Sequence, residues 1–360
     1  MRRSQRDAEG SPCAGDRTES FIDSTVSRPR SPVNRDPMNE PIRIFTQSDV
    51  ERLLDIKSCI TAVEDAFRLR GEGQPSQSGV LGLSVTGGGF HVKAAILELS
   101  RPYFAAKVNA NFPANPSTRG LPTIQGILVL FDATNGSPLA MMDSIAITAL
   151  RTAAASAVAA KYLALPTART AMFVGCGAQA RAHIAAISTV RDLDRAFVFD
   201  LDEMKAIRFA EEMQAIHPFD VRVVTDLGQA TRISDIVVTA TSSTKPFIGI
   251  DHLAPGTFVA AVGADNEHKQ EIEAAVLERA VIVVDDLDQC ATIGDLHHAI
   301  TAGAVTRNDV RATLGEIVAG VKQGRLNDDE VVVFDSTGVA IEDIAAASIV
   351  YERAYANPSD

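Results

Sequence analysis

Residues 171–184 read AMFVGCGAQARAHI, and within them Gly175, Gly177 and Ala180 spell G-x-G-x-x-A after an apolar, strand-like run and at the start of a helix-forming run. That order permits a tight turn, close approach of backbone to a pyrophosphate, and a helix N-terminus whose amides favour an anion. Asp200 ends the next strand-like run, 23 residues beyond Gly177. A carboxylate there can accept hydrogen bonds from both ribose hydroxyls of a dinucleotide and would repel a 2′-phosphate, so the pair points to NAD (NADH) in preference to NADP. The structural alternative is a glycine-rich turn without a ligand, with Asp200 capping the helix LDEMKA, a role compatible with binding. Cys176 and Gln179 are expected to present backbone amides more than side-chain chemistry, with Gln179 able to reach a phosphate.

Other chemistry is sparse. The four cysteines, Cys13, Cys59, Cys176 and Cys290, lie far apart without a CxxC pair, which argues against a zinc knuckle, a redox dithiol or a disulfide framework. Adjacent His297 and His298 on a helix point to different faces, so no metal site is expected there. The net charge of −12 disfavours nucleic acid, whose phosphates would be repelled. No apolar run approaches the roughly 18 residues of a membrane span, and no charged-then-apolar leader opens the chain. A cytoplasmic protein is expected.

The elements that must position the glycine joint divide the 360 residues, 46% of them apolar, into two domains after a tail. Residues 1–40 are rich in Arg, Ser, Pro and acidic residues and are expected to be disordered, with Met38 an alternative start. Over 41–145, short β-like runs (FHVKAAIL, YFAAKVNANF, IQGILVLFD) between turn residues predict a mostly antiparallel α+β substrate-binding and dimerisation domain. The spacing of Val50, Leu53, Leu54, Ile60, Val63 and Phe67 predicts one helix over 48–70 covering its sheet. The Ala-rich run 146–164 predicts a helix that bridges into the second domain. Across 146–335, the runs TAMFVG, RAFVFD, VRVVTD, DIVVTAT, TFVAAVG and AVIVVDD alternate with helical stretches, which predicts a Rossmann α/β domain: a doubly wound parallel sheet with helices on both faces. The closing helix, 339–356, is expected to return to the first domain.

From Phe104 onward the chain resembles the ornithine cyclodeaminase/mu-crystallin family. The motifs that carry the resemblance are AAKVNANFPANPSTRGLPTIQG (105–126), ITALRTAAASAVAAKYLA (147–164), GCGAQARAH (175–183), VTATSS (238–243), VGADNEHKQEIE (262–273) and VFDSTGVAIED (333–343). They cover about 250 residues. The family includes cyclodeaminases, amino-acid dehydrogenases, cyclic-imine reductases and a non-catalytic binding protein. The resemblance implies that Lys107 binds a substrate carboxylate and takes part in catalysis, that Arg151 lies by both cofactor and substrate, and that Asp265 is the catalytic acid/base. Cations and a carboxylate are what chemistry at the Cα of an amino acid needs. The plain alternatives are a solvated strand lysine, a helix-terminal salt bridge, and an aspartate capping a helix over NEHKQE. Implied cofactor contacts are Thr123, Arg151, Ala178, Gln179, Asp200, Thr241, Val262, Gly263, Lys269 and Ser336, beside Gly175 and Gly177, with Ser336 and Thr337 next to the nicotinamide. A homodimer built on the first domain is implied as well.

Two departures bear on substrate. Where family members place an arginine after a proline, this chain has Ser76 and Gln77, which removes one carboxylate clamp. Lys93 stands where an apolar or acidic residue is usual; it either restores the missing charge as a substrate-binding residue or points to solvent. In the first case it disfavours a substrate with a distal ammonium. The leading expectation is NAD(H)-dependent hydride transfer at the Cα of a small L-α-amino or imino acid, as in pyrroline-2-carboxylate reduction or alanine dehydrogenation. Ornithine cyclodeamination, a lyase reaction with catalytic NAD, is the runner-up, and a non-catalytic binding protein like mu-crystallin is the third reading.

Overall fold

The computed structural model describes residues 41–74 and 78–356; the segment expected to be disordered and the Ser76–Gln77 departure lie outside them. The chain enters through β1 (Arg43–Phe45), α1 (Gln47–Leu53) and α2 (Ile56–Gly71). Two helices thus stand where the apolar spacing predicts one. Leu54 is extended, and the Asp55 side chain accepts the Ser58 amide at 3.0 Å, so a new N-cap interrupts a continuous apolar face.

Strands β2 (Ser78–Val85), β3 (Gly88–Glu98) and β4 (Pro102–Asn111), a short α3 (Asn115–Arg119), and strands β5 (Ile124–Asp132) and β6 (Pro138–Asp143) complete the first sheet. Its order is β1-β6-β5-β4-β3-β2, antiparallel apart from the β1–β6 pair. In β4, Tyr103, Ala105 and Lys107 alternate onto the buried face, so strand period alone drives a lysine into the interior.

Helix α4 (Ser144–Leu163) carries the chain onward. Ala153, Ala154, Ala155, Ala157, Ala159 and Ala160 are all fully buried, because the helix is enclosed on several sides, by α2 among others. Then β7 (Thr170–Val174), α5 (Ala178–Val190), β8 (Arg195–Phe199), α6 (Glu203–Ile216), β9 (Asp220–Val223), α7 (Leu227–Arg232), β10 (Ile236–Thr239) and β11 (Phe258–Ala261) follow. They are succeeded by α8 (Ala274–Leu277), β12 (Val281–Val284), α9 (Leu287–Cys290), α10 (Asp295–Thr301), β13 (Val310–Thr313), α11 (Leu314–Val318), β14 (Val332–Asp335) and α12 (Ala340–Ala356).

The second sheet runs β13-β12-β14-β11-β10-β7-β8-β9, every pair parallel. Strand order reverses between β7 and β10, the switch point at which open α/β sheets leave a crevice beyond their carboxyl ends. Successive residues feed two separate cores. Phe173, Val238, Phe258 and Phe334 pack on one face, whereas Met172, Val237, Val259 and Val333 pack on the other. This is the doubly wound α/β class that the sequence predicts. The first core is shared with the other sheet through α4 and α12, and α12 packs on α2, α4, β3 and β4. Among the described residues, no helix is long and apolar enough to cross a membrane.

Candidate active site

The carboxyl ends of β7, β10, β11 and β14 are neighbours, so the loops they open share one edge of the sheet. After β7, Gly175 turns at φ +94°, and a Cβ there would meet the carbonyl oxygen of Ala240 at 2.7 Å, so the turn requires glycine. Gly177 begins α5 without a side-chain cap and faces open space, where a group bound to the helix amides would stand. Gln179 Oε1 is buried there without a partner. Asp200 sits just past β8, where its Oδ2 accepts the Cys176 amide at 2.8 Å and Lys205 Nζ at 2.6 Å. Burial raises its pKa, but these donors outweigh burial and hold the carboxyl below its ordinary value. The cap of α6 is Asp202, not Asp200, since the Asp202 side chain accepts the Lys205 amide. The Cys176 amide is likewise committed to Asp200 and not offered to a ligand. A glycine-lined turn, an uncapped helix start, an orphaned buried amide oxygen and an anchored carboxylate together fit a dinucleotide.

Beyond β10 and β11 the chain is irregular. Val262 and Gly263 are buried, and Asp265 follows in a segment that forms turns, not the helix considered for NEHKQE. Asp265 is half-exposed; its Oδ1 accepts Lys269 Nζ at 2.8 Å and Asn266 Nδ2 at 3.2 Å. Lys269 therefore serves Asp265 here. Thr241 is held by Glu271, whose Oε1 accepts the Thr241 amide and hydroxyl at 2.7 and 2.6 Å. After β14, the loop Ser336-Thr337-Gly338 folds over Asp285 at the end of β12. That buried carboxylate accepts the Gly338 amide at 2.6 Å and the Thr337 hydroxyl at 3.1 Å.

A charge cluster lies beside this loop. Lys107 is 3% exposed and donates to Asp343 Oδ1 at 2.7 Å, so it is no solvated strand lysine. Arg151, in the middle of α4 and not at its end, donates from Nη1 to Glu342 Oε2 at 2.7 Å, and its Nε lies 2.9 Å from Asp343 Oδ1. Lys93 pairs directly across the strands with Lys107 and donates to the carbonyls of Thr337 and Gly338 at 2.8 and 2.7 Å. Its side chain is thus turned against this loop and not out to solvent. Burial, then the charges of Arg151 and Lys93, push the Lys107 ammonium down to about 7 against the pull of Asp343. Burial and Arg151 likewise lower Lys93, whose charge is supported by Asp343, Asp265 and Asp285. Glu342 is pushed up to about 7 by burial, opposed by Arg151. Asp343 stays below its ordinary value because Lys107 and Arg151 outweigh its burial. Arg151 is held charged by Asp343 and Glu342 despite burial. Asp343 Oδ2 is buried without a partner, an acceptor left open at the heart of the cluster.

The structure thus brings Lys93, Lys107 and Arg151 together beside the Ser336 loop, with Asp265 close enough to support the charge on Lys93. Gly175, Gly177, Ala178, Gln179 and Asp200 form a second group at the switch point, and Thr241, Val262 and Gly263 adjoin it along the sheet edge. Thr123, ahead of β5, shares no hydrogen bond with any of these among the described residues. The organising acids Glu271, Asp285, Glu342 and Asp343, and the Lys205 partner of Asp200, are not singled out by residue type or spacing. Asp285, Glu342 and Asp343 do border apolar runs, but Glu271 and Lys205 lie in polar stretches that give no signal.

Known proteins resemble this chain over most of its length. Residues 42–357 match the family model of the ornithine cyclodeaminase/mu-crystallin family. An alanine dehydrogenase of Archaeoglobus fulgidus is 37% identical over 313 residues, 86% of this chain and 94% of that protein. Among solved structures, an archaeal alanine dehydrogenase dimer with bound NAD is 37% identical and superposes with a TM-score of 0.84, covering 88% of this chain and 97% of that one. The Thermococcus litoralis Δ1-pyrroline-2-carboxylate reductase in complex with NADH and L-proline is 33% identical with a TM-score of 0.84, over 88% and 98% of the two chains.

Proposed function

The chain belongs to the ornithine cyclodeaminase/mu-crystallin family, and on that premise we propose that it is an NAD(H)-dependent oxidoreductase acting at the Cα of a small L-α-amino or imino acid. The observation that carries this reading is the gathering of Lys93, Lys107 and Arg151 beside the Ser336 loop, at the edge where the glycine turn and Asp200 fit a dinucleotide. Gly175, Gly177, Ala178 and Gln179 would take the pyrophosphate and Asp200 the adenosine ribose. Thr241, Val262, Gly263 and Ser336 would line the nicotinamide side. The resemblance also gives Thr123 and Lys269 to the cofactor. When bound, the nicotinamide supplies or accepts the hydride.

The chain's own residues would do the rest. Lys107 and Lys93 bind the substrate carboxylate, and Arg151, fixed by Glu342 and Asp343, orients it from the helix side. Asp265, at the rim of the cluster, holds or moves the proton on the substrate nitrogen, with Lys269 steering its carboxylate. The buried floor excludes water from the reacting carbon. A distal ammonium, as in ornithine, would meet Lys93 in the same cavity, so cyclodeamination is the less favoured reaction. Retention of Asp265 speaks against a purely binding role.

The relative solved as a dimer supports a second part of the proposal, a homodimer formed on the first sheet. Strand β2 is exposed along its whole length, and Leu81, Leu83 and Val85 with Phe90 and Val108 on the same face present an apolar surface that a second copy would cover.

The test follows NADH absorbance while pyrroline-2-carboxylate, or pyruvate with ammonia, is offered to the purified protein. Steady NADH oxidation is expected. Proline formed from ornithine without net change in NADH would instead establish the lyase, and NADH binding without turnover of any imino acid would overturn the enzymatic reading.

A further inference from the structure

Parallel strands β10 and β11 end side by side at Thr239 and Ala261; the Ala240 and Val262 amides still bond the carbonyls of Val174 and Thr239, and beyond these two the ladder no longer satisfies the backbone amides. One side chain takes over. Glu271 is fully buried; its Oε1 accepts the amide and hydroxyl of Thr241, and its Oε2 accepts the Gly263 amide at 2.8 Å. The carboxylate therefore ties the first turn after β10 to the first turn after β11. It is itself fixed from behind. The Glu271 carbonyl accepts the Phe247 and Ile248 amides, and its own amide donates to Asp295 Oδ1 at 2.8 Å. Gly263 is part of the device, because a Cβ at that position would stand 2.4 Å from Glu271 Oε1.

We propose that Glu271 is a positioning residue for the site: without touching substrate or cofactor, it sets the separation of the Thr241 and Gly263 turns and, two residues on, the placement of Asp265. This rests on the functional reading above. The argument is one of satisfaction. A carboxylate can accept from all three donors at once, whereas an amide of the same shape offers one acceptor and one donor end. In Glu271→Gln, whichever end faces Gly263, one donor must confront another, and the two turns lose their shared reference.

The experiment compares wild type with Glu271→Gln and Thr241→Val, the second of which removes the hydroxyl that donates to Glu271 and accepts the Ser243 amide while leaving both turn amides their carboxylate. In the free proteins, hydrogen exchange is measured at the amides of Thr241 and Gly263; NADH affinity is measured by fluorescence, and kcat and KM with an imino acid. Glu271→Gln is expected to fold, to speed exchange at those two amides over distant strands, and to weaken NADH by roughly tenfold or more, the scale of one unsatisfied buried donor. It should lower kcat more than it raises the imino-acid KM. Thr241→Val should fall between, and the double variant should add little beyond Glu271→Gln. A folded Glu271→Gln protein with wild-type exchange at both amides, or with wild-type NADH affinity and kcat, overturns the proposal. A drop in thermal stability with unchanged NADH affinity per folded molecule does the same, since it marks a purely structural residue. Failure of wild type itself to bind NADH overturns the functional reading, and this proposal with it.

Discussion

Asp343 Oδ1 lies 2.7 Å from Lys107 Nζ and 2.9 Å from Arg151 Nε, so one carboxylate from α12 answers two buried cations from two different elements. Removing it leaves buried Lys107 without its counter-ion and Arg151 with Glu342 alone, the costly half of breaking a buried pair. Asp343→Asn is therefore expected to lose about 3–5 kcal/mol of stability by denaturant titration. A loss below about 1 kcal/mol would show that solvent reaches the cluster.

The depressed ammonium of Lys107 gives the proposed carboxylate clamp a pH dependence. With its pKa at about 7 instead of 10.5, the charged form that would hold a substrate carboxylate is present below about pH 7 and lost above it. The profile of kcat/KM for an imino acid, which reports the free enzyme, should fall above that value. Lys107→Arg, charged throughout, should flatten the alkaline limb even if its absolute rate is lower. A wild-type limb unchanged in Lys107→Arg would assign the titration to another group.

Buried acids give stability a pH dependence of its own, at lower pH. Asp295 is raised to about 7 by burial and by Glu271, and Asp335 is raised by burial and by Asp295. The folded state then binds more protons than the unfolded chain between about pH 4 and 7, so the stability these groups contribute at low pH is lost as pH rises through that window, by up to about 1.4 kcal/mol per pH unit for each proton. His183 works against them. Burial lowers it to about 4, so its contribution is lost as pH falls below the ordinary histidine range. Stability measured against pH should show a falling component between about 4 and 7 that shrinks in Asp295→Asn. An identical slope in the variant would remove Asp295 from the account.

Gly175→Ala places a Cβ at φ +94° against the Ala240 carbonyl. A cost of about 1–3 kcal/mol is expected from the strained backbone, together with loss of NADH binding in a fluorescence titration. Retained affinity at wild-type stability would mean that the turn is not the phosphate site.

Charge placed on the exposed strand tests the dimer. Leu81→Lys with Leu83→Lys should halve the mass seen by light scattering, while a mass unchanged from wild type would put the interface elsewhere.

The parallel sheet is legible because most of its strands are short, nearly uninterrupted apolar runs, as burial on both faces demands. Strand β9, DVRV, carries an arginine but runs on into Val224, whereas β13, VRAT, follows the polar Arg307, Asn308 and Asp309 and is silent. The helix over 48–70 misleads because apolar spacing survives the break at Asp55, which only the cap chemistry marks. For the site, the glycine turn and Asp200 can be read locally. The charge cluster cannot, since Lys107 and Asp343 are 236 residues apart and neither betrays its partner. Hydropathy sees Glu342 and Asp343 as two ordinary acids at a helix start, and only packing of α12 beside α4 and β4 turns them into counter-ions.

Strand β14 lies in the sheet between β11 and β12, although every other strand precedes it in the chain. Until those late residues emerge, the sheet has a gap at its middle, and the helix that brings Glu342 and Asp343 has not yet been made. A polypeptide halted before Val332 should therefore gain neither the Ser336 loop nor the counter-ions for Lys107 and Arg151. Assembly of the floor thus waits on the residues from Val332 onward.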